Sequence, residues 1–308
     1  MNNLIIDSHS HIGNDFFQGK STIDEYIDFA RHNGINVGIL MPVPLPCLDD
    51  SKFPCMHWKF DGTNIHYFGN INPYREINEN LNKLLIQKSS EDLQLLFVPL
   101  FHPVLDDIAQ FEKMLINVNP VAIKIHGIGS GVGPEHITQE YIRLFKQYEI
   151  PIIVHTDCDF GNGSRSMQYI RNINRAKLWA EFFEKNKIKG ILNHGASLDI
   201  ETLEMVNNSD YLVVALGPDK VACIDNNRLF YDCNGDYRRY LAFLQKHLNK
   251  SKLVYDADYN WNLINGIEDY DSVKRVEEIF EDRKIIQDVL ANNILEFNPR
   301  ILTRVRRK

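Results

Sequence analysis

Leu4-Ile-Ile-Asp-Ser-His-Ser-His-Ile-Gly13 is the most informative stretch of the sequence. Its three leading apolar residues are typical of a short strand that is buried on both faces. Side chains two apart in a strand point to the same side, so His9 and His11 can present two imidazoles to one point. Gly13 then allows the backbone to turn away. Such a pair favours a divalent metal site, although His-x-His also occurs at strand ends by chance.

The composition is that of an ordinary globular protein and excludes several classes of function. The 308 residues are 44% hydrophobic and 24% charged, enough for one large domain or two smaller ones. The formal net charge of -7 argues against a nucleic acid partner. The sequence has no apolar run long enough to span a bilayer and no basic-then-apolar leader. We therefore expect a cytoplasmic protein with no membrane partner.

Cysteine usage agrees with that setting. The five cysteines are an odd number, and no two have Cys-x-x-Cys spacing. Neither a disulfide framework nor a cysteine zinc site is indicated, and we expect most of these thiols to be reduced.

Apolar runs alternate with helical patterns along the whole chain, which is typical of repeated βαβ units around a parallel sheet. Predicted strands cover residues 4–13, 35–43, 65–71, 93–101, 121–125, 150–154, 189–192, 211–216 and 253–258. Predicted helices cover residues 22–33, 78–88, 107–118, 134–148, 167–185, 198–206, 237–247 and 271–291.

Nine strands are one more than a closed eightfold barrel needs, and we place residues 65–71 outside the barrel or in a loop. The prediction is an α/β fold, a (β/α)8 TIM barrel that forms a single domain over residues 1–308. Long loops are expected at 42–64 and 217–236, with a basic tail at 300–308 whose residues 304–308 are expected to be solvated. The rival, an open doubly wound sheet, predicts a phosphate-binding turn after the first strand, and the sequence has none there.

A glycine-rich segment at residues 127–133 raises the question of a phosphate loop. It does not satisfy Gly-x-Gly-x-x-Gly and lacks the Lys-Ser/Thr of a phosphate loop. We expect a flexible loop beside the site.

Polar residues that can bind metal stand at the ends of five predicted strands. In a barrel these ends converge on one face, where catalytic groups lie. Each residue alone has a structural explanation, such as capping or a hydrogen bond in the core. Together, on strands one, four, five, six and eight, they favour a metal site; they are His9, His11, Lys124, His155, His194 and Asp258.

Six motifs connect these residues to a known family. They are Asp7-x-His9-x-His11-x-Gly13, Lys124-Ile-His126, Ile153-Val-His155-Thr156, Leu192-Asn-His194-Gly195, Val254-Tyr-Asp-Ala-Asp258-Tyr and Ile294-Leu-Glu-Phe. The sequence resembles the amidohydrolase superfamily over almost its whole length. Within it, the resemblance is to metal-dependent TIM-barrel hydrolases, the branch that contains aminocarboxymuconate-semialdehyde decarboxylase-like enzymes.

Two departures from the family pattern lie where substrate is expected. The usual Gly-Ser-Asp-x-Pro of the last strand reads Asp-Ala-Asp-Tyr-Asn at residues 256–260. Gly127 follows His126, where proline is frequent. Neither departure changes a presumed ligand.

The resemblance and ligand chemistry together assign roles. His9, His11 and His155 are predicted to bind a divalent ion as neutral imidazoles, and Asp258 to complete the ligand set. Such an ion activates water near neutral pH, and Asp258 can accept the proton and pass it to the leaving group. His194 is a further ligand if two ions bind. With one ion, His194 orients the water or polarises the substrate.

Lys124 depends on how many ions bind. The resemblance implies a strand-four lysine that is carbamylated and bridges two ions in binuclear members. An unmodified ammonium beside a cation is repelled, so Lys124 needs carbamylation, a lowered pKa or a substrate carboxylate to face. We favour one ion, with Lys124 near the substrate. His126 shares its strand face and is expected to line the pocket.

Three further residues are candidate substrate contacts. Arg165, in the loop after His155, can hold an anionic group, and Tyr259 and Trp261 can wall a pocket for a flat or apolar substrate. A solvated loop arginine and ordinary packing aromatics explain them equally well.

The sequence therefore predicts a metal-dependent hydrolase that attacks an amide, ester or lactone of a small molecule. Zinc is the expected ion, with manganese or iron as alternatives. The nearest rival is a nonoxidative decarboxylase of a small aromatic or muconate-like acid. The other rival is a barrel that has lost catalysis and acts as a binding protein. A homo-oligomer is compatible with any of these three functions.

Overall fold

Each apolar run that precedes a polar strand end forms a short strand in the computed structural model. The structure describes residues 4–15, 19–44, 57–156, 165–217, 223–225, 228–230, 237–259 and 271–305. Eight strands, numbered β1 to β8, are Ile6–Asp15, Val37–Pro42, Gln94–Phe97, Ile123–Ile125, Ile152–Val154, Gly190–Leu192, Leu212–Ala215 and Leu253–Val254.

These strands pair in parallel and in chain order. β1 pairs with β2 and β2 with β3, while β4 to β8 form a second continuous run. Just beyond β3, Phe101 N donates to Lys124 O and Lys124 N donates to Pro99 O, both at 2.9 Å. These two bonds join the β3 side to β4.

A second pair of bonds closes the ring between β8 and β1. Ser8 N donates to Tyr255 O at 3.1 Å, and Asp258 N donates to His9 O at 2.9 Å. The eight strands therefore form a closed barrel, and the predicted TIM-barrel fold is confirmed.

Helices follow the strands and cover the outside of the barrel. They are Ile23–His32, Arg75–Lys88, Ile108–Val118, Gln139–Gln147, Arg165–Ile173, Ala176–Asn186, Ile200–Asn207, Tyr237–His247, Ser272–Ile279, Arg283–Gln287, Asn293–Phe297 and Arg300–Arg304. Shorter turns are Gly127–Ser130, Pro134–His136, His194–Leu198 and Lys250–Lys252, and Asp288–Asn292 is a π-helical turn. None of the described helices is long and apolar enough to cross a membrane.

The first helix shows why its start was predictable. Thr22 Oγ1 accepts from Glu25 N at 3.2 Å, and Glu25 Oε2 accepts from Thr22 N at 2.8 Å. This reciprocal pair is a capping box, which satisfies two amides that have no partner inside the helix. The predicted start at Thr22 is confirmed.

The strands divide their side chains between two apolar layers. In β2, Val37, Ile39 and Met41 lie in the cluster inside the barrel, whereas Leu40 packs outward against the helices. Four buried residues near the C-terminus join the inner cluster, namely Ala291, Ile294, Phe297 and Ile301. This alternation follows from the two-residue period of a strand.

The predicted surplus strand does lie outside the barrel. Ile65–Tyr67 pairs antiparallel with Trp58–Phe60 in a separate two-stranded sheet. This hairpin packs on the turn after β4, where Trp58 Nε1 donates to Ile128 O at 2.9 Å and Tyr67 OH donates to Gly131 O at 2.8 Å. In the other predicted long loop, Cys223–Asp225 pairs antiparallel with Arg228–Phe230.

The expectation of a flexible glycine loop at 127–133 was wrong. Gly127–Ser130 is a turn of helix, and all seven residues are buried. A Cβ on Gly131 would lie 2.4 Å from the Trp58 ring, and one on Gly127 would lie 2.1 Å from Asn174 Oδ1. These glycines therefore allow close packing.

Other differences concern element ends. The helix predicted over 134–148 is interrupted before Thr138, whose hydroxyl caps Gln139–Gln147. The helices predicted over 167–185 and 271–291 are each divided into shorter helices.

The predicted basic tail at 300–308 begins with a helix, and Arg304 at the start of its predicted solvated part is exposed. Arg300–Arg304 is helical, and Arg300 donates to Tyr148 O at 2.8 Å and to Pro120 O at 3.0 Å. Residues 306–308 lie outside the described part of the chain.

Candidate metal centre

The barrel closure brings three predicted ligands together. His9, His11 and Asp258 each offer one ligand atom, and these atoms lie within 4.8 Å of one another. All three side chains are buried. We call these residues the ligand trio. Because β1 and β8 are neighbours, residues from opposite ends of the chain meet at one point.

The tautomer of His11 is fixed by the backbone. Its Nδ1 lies 2.9 Å from Pro42 O. A carbonyl oxygen only accepts, so Nδ1 carries the proton and Nε2 keeps its lone pair. Nε2 lies 3.9 Å from Asp258 Oδ1. A hydrogen bond behind the ring is the usual way in which a metal-binding histidine is oriented.

His9 stands between two carboxylates and a lysine. Its Nδ1 lies 3.5 Å from Asp256 Oδ2 and 3.6 Å from Asp258 Oδ1, longer than a strong charge-assisted hydrogen bond. Its Nε2 lies 2.9 Å from Lys124 Nζ. Both ring nitrogens of this buried histidine thus face groups of the site.

Burial keeps the imidazoles of the trio neutral. Desolvation, followed by repulsion from Lys124, lowers the pKa of His11 to about 3 and the pKa of His9 well below its usual value. Zinc and related divalent ions in proteins are commonly bound by neutral imidazoles and carboxylates. The donor set of the ligand trio therefore fits a divalent metal ion.

Asp256 lies next to His9 of the trio and is itself held by two hydrogen bonds. Its Oδ2 accepts from Asn193 Nδ2 at 3.3 Å, and its Oδ1 accepts from Gly217 N. Burial, together with the neighbouring carboxylate of Asp258, raises the pKa of Asp256 well above its usual value.

Lys124 reaches the centre from β4. Ile123 and Ile125 belong to the outer apolar layer, so the intervening Lys124 points inward, where it is fully buried. Its Nζ lies 2.9 Å from His9 Nε2 and 3.5 Å from Asn193 Oδ1. Burial lowers the pKa of Lys124 to about 7, against the opposing effect of two nearby aspartates. A buried amine with this pKa can be neutral at physiological pH.

Three more histidines form a row at the ends of β4, β5 and β6. The ring of His155 lies between those of His126 and His194, with centroid distances of 4.2 and 4.4 Å. His194 Nε2 and His155 Nδ1 are 2.9 Å apart. We call these residues the histidine row. His194 Nδ1 lies 3.9 Å from Asp258 Oδ2, so the row adjoins the ligand trio.

The position of His155 differs from that of the other predicted ligands. Within the described residues, the group whose ligand atoms lie within 4.8 Å of one another contains the ligand trio and not His155. The structure thus brings three of the four predicted ligands together and sets His155 in the adjoining row.

His126 is oriented by the turn that it caps. Its Nδ1 accepts from Gly129 N at 2.9 Å. Nδ1 is therefore unprotonated, and in the neutral ring Nε2 carries the hydrogen. Burial and then Lys124 lower the pKa of His126 well below its usual value. His126 consequently offers an N–H donor at Nε2.

The backbone at His194 is unusual. Residues His194 to Leu198 all have left-handed φ values, between 53° and 58°. Four of these residues are not glycine, and each costs roughly 1–2 kcal/mol in this region. Close packing surrounds the turn, since a Cβ on Gly195 would lie 2.5 Å from Tyr240 OH and one on Gly217 would lie 2.9 Å from His194 Cα. The turn fixes where the imidazole of His194 enters the site.

Comparisons with known proteins find matches by structure but none by sequence. A scan of protein-family models finds none that matches the sequence, and a search of curated proteins finds no match. Solved structures do match. A probable 2-pyrone-4,6-dicarboxylic acid hydrolase from Acinetobacter baumannii, with citric acid bound, has 12% identity and a TM-score of 0.60, covering 97% of this chain and 100% of that chain.

Two further matches are described as amidohydrolases or members of that superfamily. One from Burkholderia multivorans, with bound HEPES, has 10% identity and a TM-score of 0.65, covering 96% of this chain and 99% of that chain. Enamidase has 13% identity and a TM-score of 0.55, covering 95% of this chain and 66% of that chain. This chain therefore has the same fold as these proteins.

The predicted substrate residues fall in different places. Arg165 is not in a loop but is the first residue of the helix Arg165–Ile173, and its side chain lies outside the described part. Trp261 also lies outside it. Tyr259 is buried, with its ring centroid 4.7 Å from Phe29 and 5.5 Å from Tyr26. This ring packs in the core, which corrects its assignment to the substrate pocket.

Sequence reasoning overlooked two polar residues of the centre. Asn193 contacts both Lys124 and Asp256, and Asp7 is a buried residue of β1. Each is a polar residue next to a short apolar run and near a predicted site histidine. That pattern was available from the sequence, but the partners come from distant strands.

Proposed function

We propose that this chain is a metal-dependent hydrolase of the amidohydrolase superfamily that cleaves an amide, ester or lactone of a small molecule. The ligand trio, buried at the carboxyl end of the barrel, carries this proposal. Two neutral imidazoles and a carboxylate form a divalent-ion site of the kind that activates water. Hydrolases among the structural matches share this fold.

We propose zinc as the ion and one ion per chain. Imidazole and carboxylate ligands suit zinc, and manganese or iron are the alternatives. A second structure of the Burkholderia multivorans amidohydrolase contains bound zinc. The ligand trio holds the ion in this proposal, with His155 as a fourth ligand. When bound, the ion polarises the scissile carbonyl and lowers the pKa of water.

The other steps belong to the protein's own residues. Asp258 accepts the proton of the attacking water and delivers it to the leaving group. His194, 3.9 Å from Asp258 Oδ2, orients the water or hydrogen-bonds the substrate carbonyl. The buried walls of the site strengthen these interactions because little water screens them.

We propose that the substrate carries a carboxylate. Lys124 Nζ and the Nε2 hydrogen of His126 supply donors at the barrel end, and an amine with a pKa near 7 gains a proton readily beside an anion. The name of the Acinetobacter baumannii match refers to a dicarboxylic acid, and its structure contains citric acid. Arg165 and Trp261 stay predicted substrate contacts.

The domain organisation, the cellular location and the oligomeric state are also part of the proposal. The barrel strands run from residue 6 to 254 and the helices continue to 304, which supports one domain over the chain. The odd number of cysteines suits the reducing cytoplasm. A homo-oligomer is compatible with these features, and light scattering of the purified protein measures it.

The test is an activity screen on protein loaded with zinc. 2-Pyrone-4,6-dicarboxylate is the first probe, followed by simple carboxylated lactones, esters and amides. We expect acid release without carbon dioxide, and its loss in His11→Ala but not in the control His32→Ala, which alters an exposed histidine on the first helix. Carbon dioxide release would establish the rival decarboxylase. No turnover and no metal uptake would favour a binding protein.

A further inference from the structure

Three consecutive amides after β8 are held by β1. They belong to the residue before Asp258, to Asp258 itself and to the residue after it. The bonds are Ala257 N to Asp7 Oδ1 at 2.8 Å, Asp258 N to His9 O at 2.9 Å and Tyr259 N to Ser10 Oγ at 2.9 Å.

Asp258 has a backbone conformation that costs free energy. Its φ is 41°, in the left-handed region that L residues other than glycine avoid. Holding such a residue there costs of order 1–3 kcal/mol, which the surrounding structure must offset. Bonds on both sides of Asp258 supply that constraint.

Asp7 is the centre of the constraint. Its buried carboxylate accepts from Ser10 Oγ at 2.7 Å, Tyr26 OH at 2.8 Å, Ala257 N at 2.8 Å and His9 N at 3.3 Å. Four donors occupy the two oxygens of an ionised carboxylate. Asp7 is therefore committed to organising the site and does not act as a ligand.

The same network is anchored in the first helix. Tyr26 lies on that helix and reaches Asp7 because Gly38 leaves room, since a Cβ on Gly38 would lie 2.4 Å from Tyr26 OH. Ser10 has two roles, donating to Asp7 and accepting from Tyr259 N. The constraint thus links β1, β8 and the outer helix layer.

We propose that Asp7 and Ser10 are positioning residues that hold Asp258 in its left-handed conformation and so set the metal affinity of the ligand trio. The inference rests on the proposed function for the identity of the ion, but the backbone constraint is independent of it. Asp7 and Ser10 act through Asp258 and His9 and do not touch the ion.

A merely structural role predicts a different outcome. Loss of a buried hydrogen bond lowers the stability of the fold wherever it occurs. Loss of a positioning bond also changes the metal affinity of protein that is still folded. Ser209 provides the matched control, because its hydroxyl likewise accepts from a backbone amide, Tyr211 N at 2.9 Å, just before β7 begins.

The experiment measures Zn²⁺ affinity by chelator competition in Ser10→Ala, Asp7→Ala, Asp7→Asn and the control Ser209→Ala. Thermal unfolding shows which variants are folded. We expect Ser10→Ala and Asp7→Ala to bind Zn²⁺ about 10- to 100-fold more weakly, as for other residues that orient metal ligands. Asp7→Asn keeps an oxygen for Ala257 N and should recover part of the affinity. Ser209→Ala should bind Zn²⁺ like the wild type.

Unchanged Zn²⁺ affinity in folded Ser10→Ala and Asp7→Asn would overturn the inference. If Asp7→Ala does not fold, the Zn²⁺ affinities of Ser10→Ala and Asp7→Asn decide whether the inference holds. If the wild type binds no Zn²⁺, the proposed function fails, and crystal structures of the metal-free wild type and Ser10→Ala test the inference separately. A φ of Asp258 that leaves the left-handed region in Ser10→Ala supports it, and an unchanged φ overturns it.

Discussion

The ligand trio and the histidine row lie side by side at the same end of the barrel but are held in different ways. Backbone bonds across the closure between β1 and β8 fix the trio, and Pro42 O fixes the tautomer of His11. The row is held by contacts between rings and by a left-handed turn. A rigid donor set suits a resident ion. In the row, His155 is the proposed fourth ligand of that ion, and His126 and His194 are the groups proposed to face the substrate.

Asp258→Asn should have the largest effect, because it removes a charge from the trio and the proposed proton acceptor. We expect kcat/KM for hydrolysis to fall by about 10²- to 10⁴-fold, with weaker zinc binding. Steady-state kinetics and chelator competition measure the two effects. Asp210→Asn, an exposed aspartate just before β7, is the control. If Asp258→Asn binds zinc and turns over substrate like the wild type, the role proposed for the trio in the reaction is contradicted.

Lys124→Met tests whether the lysine faces substrate or bridges ions. With one ion, metal content should stay near that of the wild type. KM for a carboxylated substrate should rise about 10- to 100-fold, the value of one charge-assisted hydrogen bond. Elemental analysis and kinetics provide the two readouts. Complete loss of metal would instead indicate a carbamylated, bridging Lys124.

Acid should lower the free energy of unfolding through the buried histidines of the row. The folded pKa of His126 lies well below 6.5, so the unfolded chain binds the proton first as pH falls below that value. The free energy of unfolding therefore decreases on acidification, by up to about 1.4 kcal/mol per pH unit for one histidine. His126→Gln should flatten this dependence in urea titrations between pH 7 and 5, with or without zinc. Equal slopes in both proteins would contradict the neutral His126.

Ser197→Gly should have the smallest effect and the opposite sign. Ser197 has a φ of 56°, which glycine adopts without strain. Relief of that strain, less the entropy that glycine loses on folding, should raise the free energy of unfolding by about 0.5–1 kcal/mol. Ala180→Gly, inside the helix Ala176–Asn186, is the control and should be destabilising. A loss of stability in Ser197→Gly would show that the turn is not strained.

Local signals explain why the fold was predictable. Short apolar runs ending in polar residues marked the barrel strands, and helical patterns marked helices that Thr22 and Asp107 cap in the structure. The breaks at Thr138 and Arg175 were missed because a helical pattern continues through them. Tertiary packing decides such breaks.

The sequence allowed us to predict that three candidate ligands lie close together, but it did not reveal the contacts that hold them. The strand-end rule located His9, His11 and Asp258 without any knowledge of distance. It gave no means of learning that Asp7 binds Ala257 N from the far end of the chain, or that Tyr259 packs on Phe29. Those contacts depend on barrel closure, which joins residues that are remote in sequence.

Metal content per chain tests the central claim most directly. Protein purified without chelator, then dialysed against zinc and analysed for elements, should contain about one ion per chain, and His11→Ala should contain far less. Absence of bound zinc, manganese or iron after reconstitution of a folded wild-type protein would contradict the account.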